Sequence, residues 1–374
     1  MPGKTITITA KIKILPTEKE KELLLDTIRA VREALNYASS EAFNKKIFSN
    51  IQLHKHTYHP MRSKFGLRSQ MANSVNKTVC AKYKSMKSNG VTNTKAMFKK
   101  PEYDLVWNRD YSLKKAVFSV NTLKGRISVP FETKGMEHFF DGEWKFGTAK
   151  LVTKKGKFFL HIPMNKVFEG SEKIDNIVGI DLGINFVATV YDQNGKTTFF
   201  SGKQIKQKRS HYKMVRKQLQ QKQTASARRR LSKIGQRENR WMTDVNHCIT
   251  KALVSQYGPN TLFVLEDLSG VRTATEKVRK NNRYVSVSWS FGQFSNFLEY
   301  KSFMNQSEVL FVDPAYTSQT CPKCSHRDKT NRHKKIHTFC CKRCEYRSND
   351  DRVAAMNLYH KGSQYLRGST QQAG

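Results

Sequence analysis

At 374 residues and 43.2 kDa the chain exceeds what one hydrophobic core usually organises, so two or more domains are expected. Lys and Arg total 67 against 30 Asp and Glu, a formal charge of +37 whose self-repulsion opposes a compact state unless a polyanion neutralises it. No apolar run approaches the roughly 18 residues of a spanning helix and no signal-peptide pattern opens the chain, which sets a membrane aside and leaves nucleic acid as the expected partner of a soluble protein.

In chain order, Ile6, Ile8, Ala10, Ile12 and Ile14 alternate with Thr and Lys, the pattern of a half-buried strand that Pro16 stops. Thr17 and Glu20 form a capping-box signature for a helix running to about Lys46, with Leu24, Ile28, Val31, Leu35 and Ala38 at helical spacing. A second helix is predicted from about Ser69 to Met86, and a basic stretch then leads to Pro101. Residues 103–165 read as short strands and hairpins, a small β domain that the first strand joins. Asn176 to Asp192 reads as a hairpin bent at Gly183, and Asn239 to Tyr257 as a helix leading into the strand that ends at Glu266. Trp289 to Phe303 is a further helix and Val309 to Asp313 a further strand.

Three phrases carry chemistry. Ile177 to Asp181 and Leu262 to Glu266 are apolar runs that end in a carboxylate, and Asn349-Asp350-Asp351 opens a last helix. A buried acid is costly to desolvate unless a cation or hydrogen bonds compensate it. Taken singly, Glu266 reads as an edge-exposed acid and Asp350 or Asp351 as a helix N-cap. In this order, Asp181, Glu266 and Asp351 match the way an RNase H-like fold gathers acids at neighbouring strand ends to hold two Mg2+ ions against a phosphodiester. Asp350 reads as the cap or a neighbour of the site.

Cys321-x-x-Cys324 and Cys341-x-x-Cys344, separated by 16 residues, are spaced for one structural Zn2+ in a closed ribbon. The seven cysteines, an odd number without a secretion signal, place the chain in a reducing compartment and leave Cys80, Cys248 and Cys340 as ordinary thiols. His326, His333 and His337 lie inside the ribbon loop and read as phosphate contacts or surface residues. No phosphate-binding P-loop is present. From Gln193 to Arg237 there is no acid at all, and Lys213, Arg216, Arg228, Arg229 and Arg230 sit in this stretch as candidates for tracking a phosphate backbone. Tyr37, Gln70, Asn73 and Lys77 stand out on the amino-terminal helices as candidate nucleic-acid contacts, each of which reads equally well as plain surface.

Gly-Ile-Asp181-Leu-Gly, Leu-Glu266-Asp-Leu, Trp289-Ser-Phe, Glu299-Tyr300-Lys301 and Asp313-Pro-Ala-Tyr316-Thr-Ser-Gln319-Thr-Cys321, followed by the ribbon and Asp351, resemble the TnpB family of insertion-sequence nucleases, from which type V CRISPR effectors derive. The resemblance is specific over about 175–360 and coherent before that. It implies an α/β multidomain protein. A β-barrel wedge domain would occupy 1–16 and 101–170, with a helical recognition insertion at 17–100. An RNase H-like (RuvC) nuclease domain would occupy 171–318 and 346–362, with the zinc ribbon at 319–345 and a flexible tail at 363–374. It further implies a guide RNA from the transposon end, a double-stranded DNA target beside a transposon-adjacent motif, and a cytoplasmic, nucleoid-associated location. Two positions depart from the family pattern: Val353 stands where an Asn is common, and Glu345 where a Gly often follows the last Cys. A nuclease-silent guided repressor is the alternative, since some relatives lack the acids that this chain keeps.

Overall fold

A computed structural model describes residues 3–100, 102–114, 116–171, 173–268, 291–334 and 336–371. The chain divides into two compact units, Thr5–Val167 and Met1–Lys4 with Phe168–Gly374.

In the first unit, β1 (Lys4–Ile14) buries Ile6, Ala10, Ile12 and Ile14, as its alternation requires. Helix α1 (Glu18–Asn44) starts at the predicted capping box: the Thr17 side chain accepts from Glu20 N, and Thr17 N donates back to Glu20 Oε2 at 2.8 Å. Helix α2 (Asn50–Phe65) was not expected. It buries only Leu53, Thr57 and Met61, carries Pro60 in its interior and ends at Gly66 in the left-handed region. Helix α3 (Ser69–Ser88) completes the helical part and buries Met71, Val75, Val79 and Tyr83.

Strands β2 (Glu102–Leu105), β3 (Tyr111–Lys114), β4 (Val117–Thr122), β5 (Gly125–Glu132), β6 (Lys145–Phe146), β7 (Ala149–Lys154) and β8 (Lys157–Phe168) join β1 in an eight-stranded sheet. Its order is β2-β7-β8-β1-β5-β4-β3, with β6 on β8. The Tyr111 hydroxyl on terminal strand β3 donates to Gly147 O at 2.8 Å, and Trp107 stacks edge-on against both Tyr111 and Phe146. The two ends of the sheet are thereby drawn into a nearly closed barrel. The first strand and the 102–168 hairpins thus share one sheet, with the three helices inserted between them.

The second unit is built on β9 (Asn176–Asp181), β10 (Phe186–Asp192), β11 (Thr197–Ser201), β12 (Thr261–Glu266) and β13 (Glu308–Val312), in the order β11-β10-β9-β12-β13. The first three are antiparallel, while β9, β12 and β13 run parallel. Helices cover both faces, so β12 is apolar throughout rather than alternating. Phe263 and Leu265 join Met242 and Leu253 of α6 (Arg237–Tyr257) and Phe294 and Leu298 of α7 (Phe291–Met304). Leu262 and Val264 face Leu358 of the last helix, α8 (Asp350–Gln371). The first two positions of the helix predicted from Trp289 lie outside the described residues. The acid-free stretch forms α4 (Lys203–Lys222) and α5 (Ala225–Ile234), which share a small core of Leu219, Ala227 and Ile234.

In a three-stranded sheet of β14 (Arg332–His333), β15 (Thr338–Cys340) and β16 (Arg347–Asn349), Cys341 and Cys344 lie on the β15–β16 connection, and Cys321 and Cys324 precede β14. Two glycines seat α8 on the sheet. A Cβ on Gly179 would lie 2.1 Å from Ala355 O and 2.6 Å from Tyr359 N, and one on Gly362 would lie 2.6 Å from a Val264 methyl.

Candidate metal centre at the strand ends

Parallel pairing of β9 and β12 aligns Leu265 with Ile180, so the next residue on each strand, Asp181 and Glu266, ends adjacent strands at the same edge. Asp351 sits in the first turn of α8, which packs on β9 and β10. The three acids that are scores of residues apart in sequence therefore surround one edge of one sheet. Asp181 and Glu266 are half-buried and Asp351 is buried.

All three carboxyls are held above the usual carboxylate range, Asp181 well above it. For Asp181 burial is the main cause, followed by the negative charges of Glu266 and Asp351, with Arg332 opposing. Burial also raises Glu266, against the Thr317 hydroxyl and the charges of Lys361 and Arg332. Asp351 rises through burial and the charge of Asp350, again against Arg332. Such crowding is unfavourable without a cation, and the donor set is all oxygen, the kind a hard divalent ion takes.

At the helix start the structure separates the two readings of Asp350, cap or neighbour of the site. Asn349, not Asp350, is the cap: its Oδ1 accepts from Asp351 N at 3.0 Å and Arg352 N at 3.1 Å. Asp350 is fully buried, and its Oδ2 accepts from Arg332 Nε at 2.7 Å. Arg332 Nη2 lies 3.9 Å from Asp351 Oδ1, and His337 Nδ1 lies 3.5 Å from Asp350 Oδ1. The His337 carbonyl accepts from Asp350 N at 3.3 Å and from Asn349 Nδ2 at 3.2 Å. Two ribbon residues thus close on the start of α8.

Thr317 is buried and donates its hydroxyl to Glu266 Oε1. Asn357, on α8, holds that loop by donating to Thr317 O at 2.7 Å and Thr320 O at 2.8 Å. Thr317, Arg332 and His337 lie in the quoted motif or ribbon loop, yet nothing in their spacing marks them as neighbours of the acids.

The four ribbon cysteines converge. Sγ of Cys321 lies 3.6 Å from that of Cys344, and Sγ of Cys324 lies 3.5 Å from that of Cys341. Four thiolates on a tetrahedral zinc at ~2.3 Å stand about 3.8 Å apart, so the cluster fits the ion. The two knuckles are built alike: Ser325 N donates to Cys321 O at 2.9 Å and Glu345 N to Cys341 O at 3.0 Å. The residues after the second cysteines, Ser325 and Glu345, both take the left-handed conformation, with φ of 60° and 57°. That geometry accounts for a glycine being common at position 345. Val353 is fully buried against Cys321, Cys341 and Phe339, so the other departure packs the helix on the ribbon.

The candidate nucleic-acid contacts are scattered. Gln70 accepts from Arg109 Nη1 at 3.2 Å and, with Lys77, lines an open cavity of about 540 Å³. Tyr37 is half-buried against Phe65 with Lys64 over its ring, and Asn73 is half-buried on α3. Lys213 and Arg228 to Arg230 are exposed on α4 and α5, whereas Arg216 Nη1 pairs with buried Glu238 at 2.5 Å.

Comparison with known proteins adds the family. Residues 161–270 match the OrfB_IS605 profile, described as "Probable transposase", and 291–358 match the Cas12f1-like TNB domain. TnpB-like protein MJ0751 of Methanocaldococcus jannaschii is 28% identical over 246 residues, covering 63% of this chain and 86% of that one. The chain is thus similar to TnpB-like proteins. It is also 25% identical over 263 residues to a CRISPR-associated endodeoxyribonuclease Cas12f1 of Sulfoacidibacillus thermotolerans, of which the match covers 59%. Its fold resembles the Cas12f1 chain solved in a Cas12f1-sgRNA-target DNA complex, with a TM-score of 0.58 at 14% identity, over 95% of this chain and 99% of that one. Among the described residues no helix is long and apolar enough to cross a membrane.

Proposed function

We propose that this chain is an RNA-guided DNA endonuclease of a transposable element, in which an RNase H-like (RuvC) unit hydrolyses phosphodiesters at Asp181, Glu266 and Asp351. The observation that carries the reading is the convergence of these three acids at one sheet edge with their carboxyls pushed toward protonation. Bound Mg2+ would supply charge stabilisation at the scissile phosphate and acidify the attacking water. The chain's own residues prepare that chemistry. Thr317 occupies one oxygen of Glu266 and fixes its orientation. Arg332 neutralises Asp350, so the buried acid anchors α8 without adding its full charge to the site.

The guided reading is supported by the charge of +37 and by what the relatives' names state of those proteins. A nuclease whose RNA reads sequence by pairing needs many backbone contacts and few base contacts. The barrel with its helical insertion then serves as the wedge and recognition parts, and the ribbon holds one structural Zn2+. Matched double-stranded DNA, guide RNA from the transposon end and Mg2+ should give cleavage, which EDTA or alanine at Asp181, Glu266 or Asp351 abolishes. Cleavage by protein stripped of RNA, or by those variants, would overturn the reading; guided binding without cutting would establish the repressor instead.

A further inference from the structure

Tyr316 is an aromatic residue in a conformation that disfavours aromatics. Its φ is +64°, and its carbonyl is pinned by Gln319 N at 3.0 Å, Thr320 N at 3.1 Å and Thr320 Oγ1 at 3.0 Å. Glycine or asparagine would take this position at lower cost, and strained residues persist where the surroundings over-determine them, commonly at functional sites. The ring does little for the core, since 46% of the residue is exposed. One face of the ring is covered by the Arg327 guanidinium, 2.9 Å from its centroid.

Tyr316 also lines a cavity of about 370 Å³, together with Thr317, Asn357, His360, Lys361 and Arg367. No acid lines it. Thr317 is the residue that donates to Glu266, so the cavity adjoins the candidate metal centre through one side chain. Lys361 Nζ donates to Asp313 O at 2.6 Å.

We infer that this groove is a subsite for one unpaired nucleotide of the strand to be cut, its base stacked on Tyr316 and its phosphate near Lys361 and Arg367. The chemistry of the groove matches that ligand on each count. A π-face backed by a guanidinium takes any base, because stacking does not read sequence. Two cations beside it suit a phosphate, and the volume suits a single nucleotide rather than a duplex. The inference rests on the nuclease reading for its choice of strand, since Thr317 both lines the groove and donates to Glu266.

The test uses the RNA-bound protein in buffer without added Mg2+, with a single-stranded DNA carrying 2-aminopurine, whose fluorescence falls on stacking. Salt is held high enough to suppress loose phosphate binding. Tyr316→Phe should bind and quench like the parent. Tyr316→Gly and Tyr316→Asn should lose the quench and bind roughly 5- to 150-fold more weakly, the fold-change of one lost base stack. Both should melt no lower than the parent, because each relieves the strained φ. Unchanged affinity and quenching in Gly and Asn variants would overturn the subsite. Cleavage in Mg2+ is scored separately: stacking without cutting counts against the nuclease alone, and cutting with a stack-independent affinity counts against the groove alone.

Discussion

Replacing Gly179 by alanine tests the architecture that assembles the acids. The added methyl would lie across a backbone pair of α8, 2.1 Å from Ala355 O and 2.6 Å from Tyr359 N, the two ends of one helical turn. Ordinary contact begins near 3.4 Å, so the helix must lift from β9 by roughly 1.3 Å, and no flexible side chain can absorb the difference. Overpacking of this kind costs about 1–3 kcal/mol, and a backbone clash belongs at the upper end. For a unit of this size that corresponds to a Tm lower by roughly 4–12 °C. Helix α8 carries Asp351 while β9 carries Asp181, so the lift also separates two of the three acids. A misplacement near 1 Å typically lowers a rate by about 100-fold, more than the stability loss alone would do at a temperature where the variant is folded. Thermal unfolding and single-turnover cleavage at 25 °C read the two effects independently. A Gly179→Ala protein with the parent's Tm and the parent's cleavage rate would refute the close approach of α8 to β9 and the argument built on it.

Four further outcomes are expected. Because Asp181, Glu266 and Asp351 have raised folded-state pKa values, metal-free stability from these groups is full below the ordinary carboxylate range and is lost as pH rises through the raised values. Asp181→Asn should therefore raise the metal-free Tm at pH 7.5 but not at pH 4, and should reduce the Tm gain on adding Mg2+; a lower Tm at pH 7.5 would contradict the repulsion. Glu345→Gly should stabilise the ribbon by about 0.5–1 kcal/mol, since relief of the left-handed conformation exceeds the entropy that glycine gains in the unfolded chain, and a drop in Tm would count against it. Elemental analysis should find about one zinc per chain, retained in Cys340→Ser and lost in Cys341→Ser, because Cys341 and not Cys340 belongs to the four-sulfur cluster. Neutralising Arg228, Arg229 and Arg230 together should weaken all guides alike and flatten the salt dependence by roughly 0.9 per lost phosphate contact, leaving motif preference unchanged; an altered motif preference would remove α5 from a purely backbone role.

Much of this was legible in one dimension because the signals involved are local. A capping box needs only residues three apart, and the Thr17–Glu20 pair formed as its spacing demands. The C-x-x-C knuckles each bend within five residues, so their spacing alone announces a four-sulfur site. Apolar strands that end in Asp181 and Glu266 are equally local, and a carboxylate there implies a compensating partner. Helix α2 escaped notice for the complementary reason: three buried positions, Leu53, Thr57 and Met61, and an internal Pro60 leave too little periodicity to read.

What the sequence could not determine is whatever depends on which surfaces meet. From the sequence Asp350 reads as a cap or a neighbour of the site, and only the ribbon's Arg332, which draws it into a buried ion pair and leaves the cap to Asn349, decides between them. Thr317 acquires a role only because the loop after β13 passes Glu266 and Asn357 ties it there. Gly179 reads as part of an apolar strand, and only the seating of α8 on β9 makes its missing Cβ indispensable. Periodicity and ligand spacing report free energies that neighbouring residues share, whereas these contacts are set by the fit of elements far apart in the chain, at distances where 1 Å decides whether a side chain is tolerated.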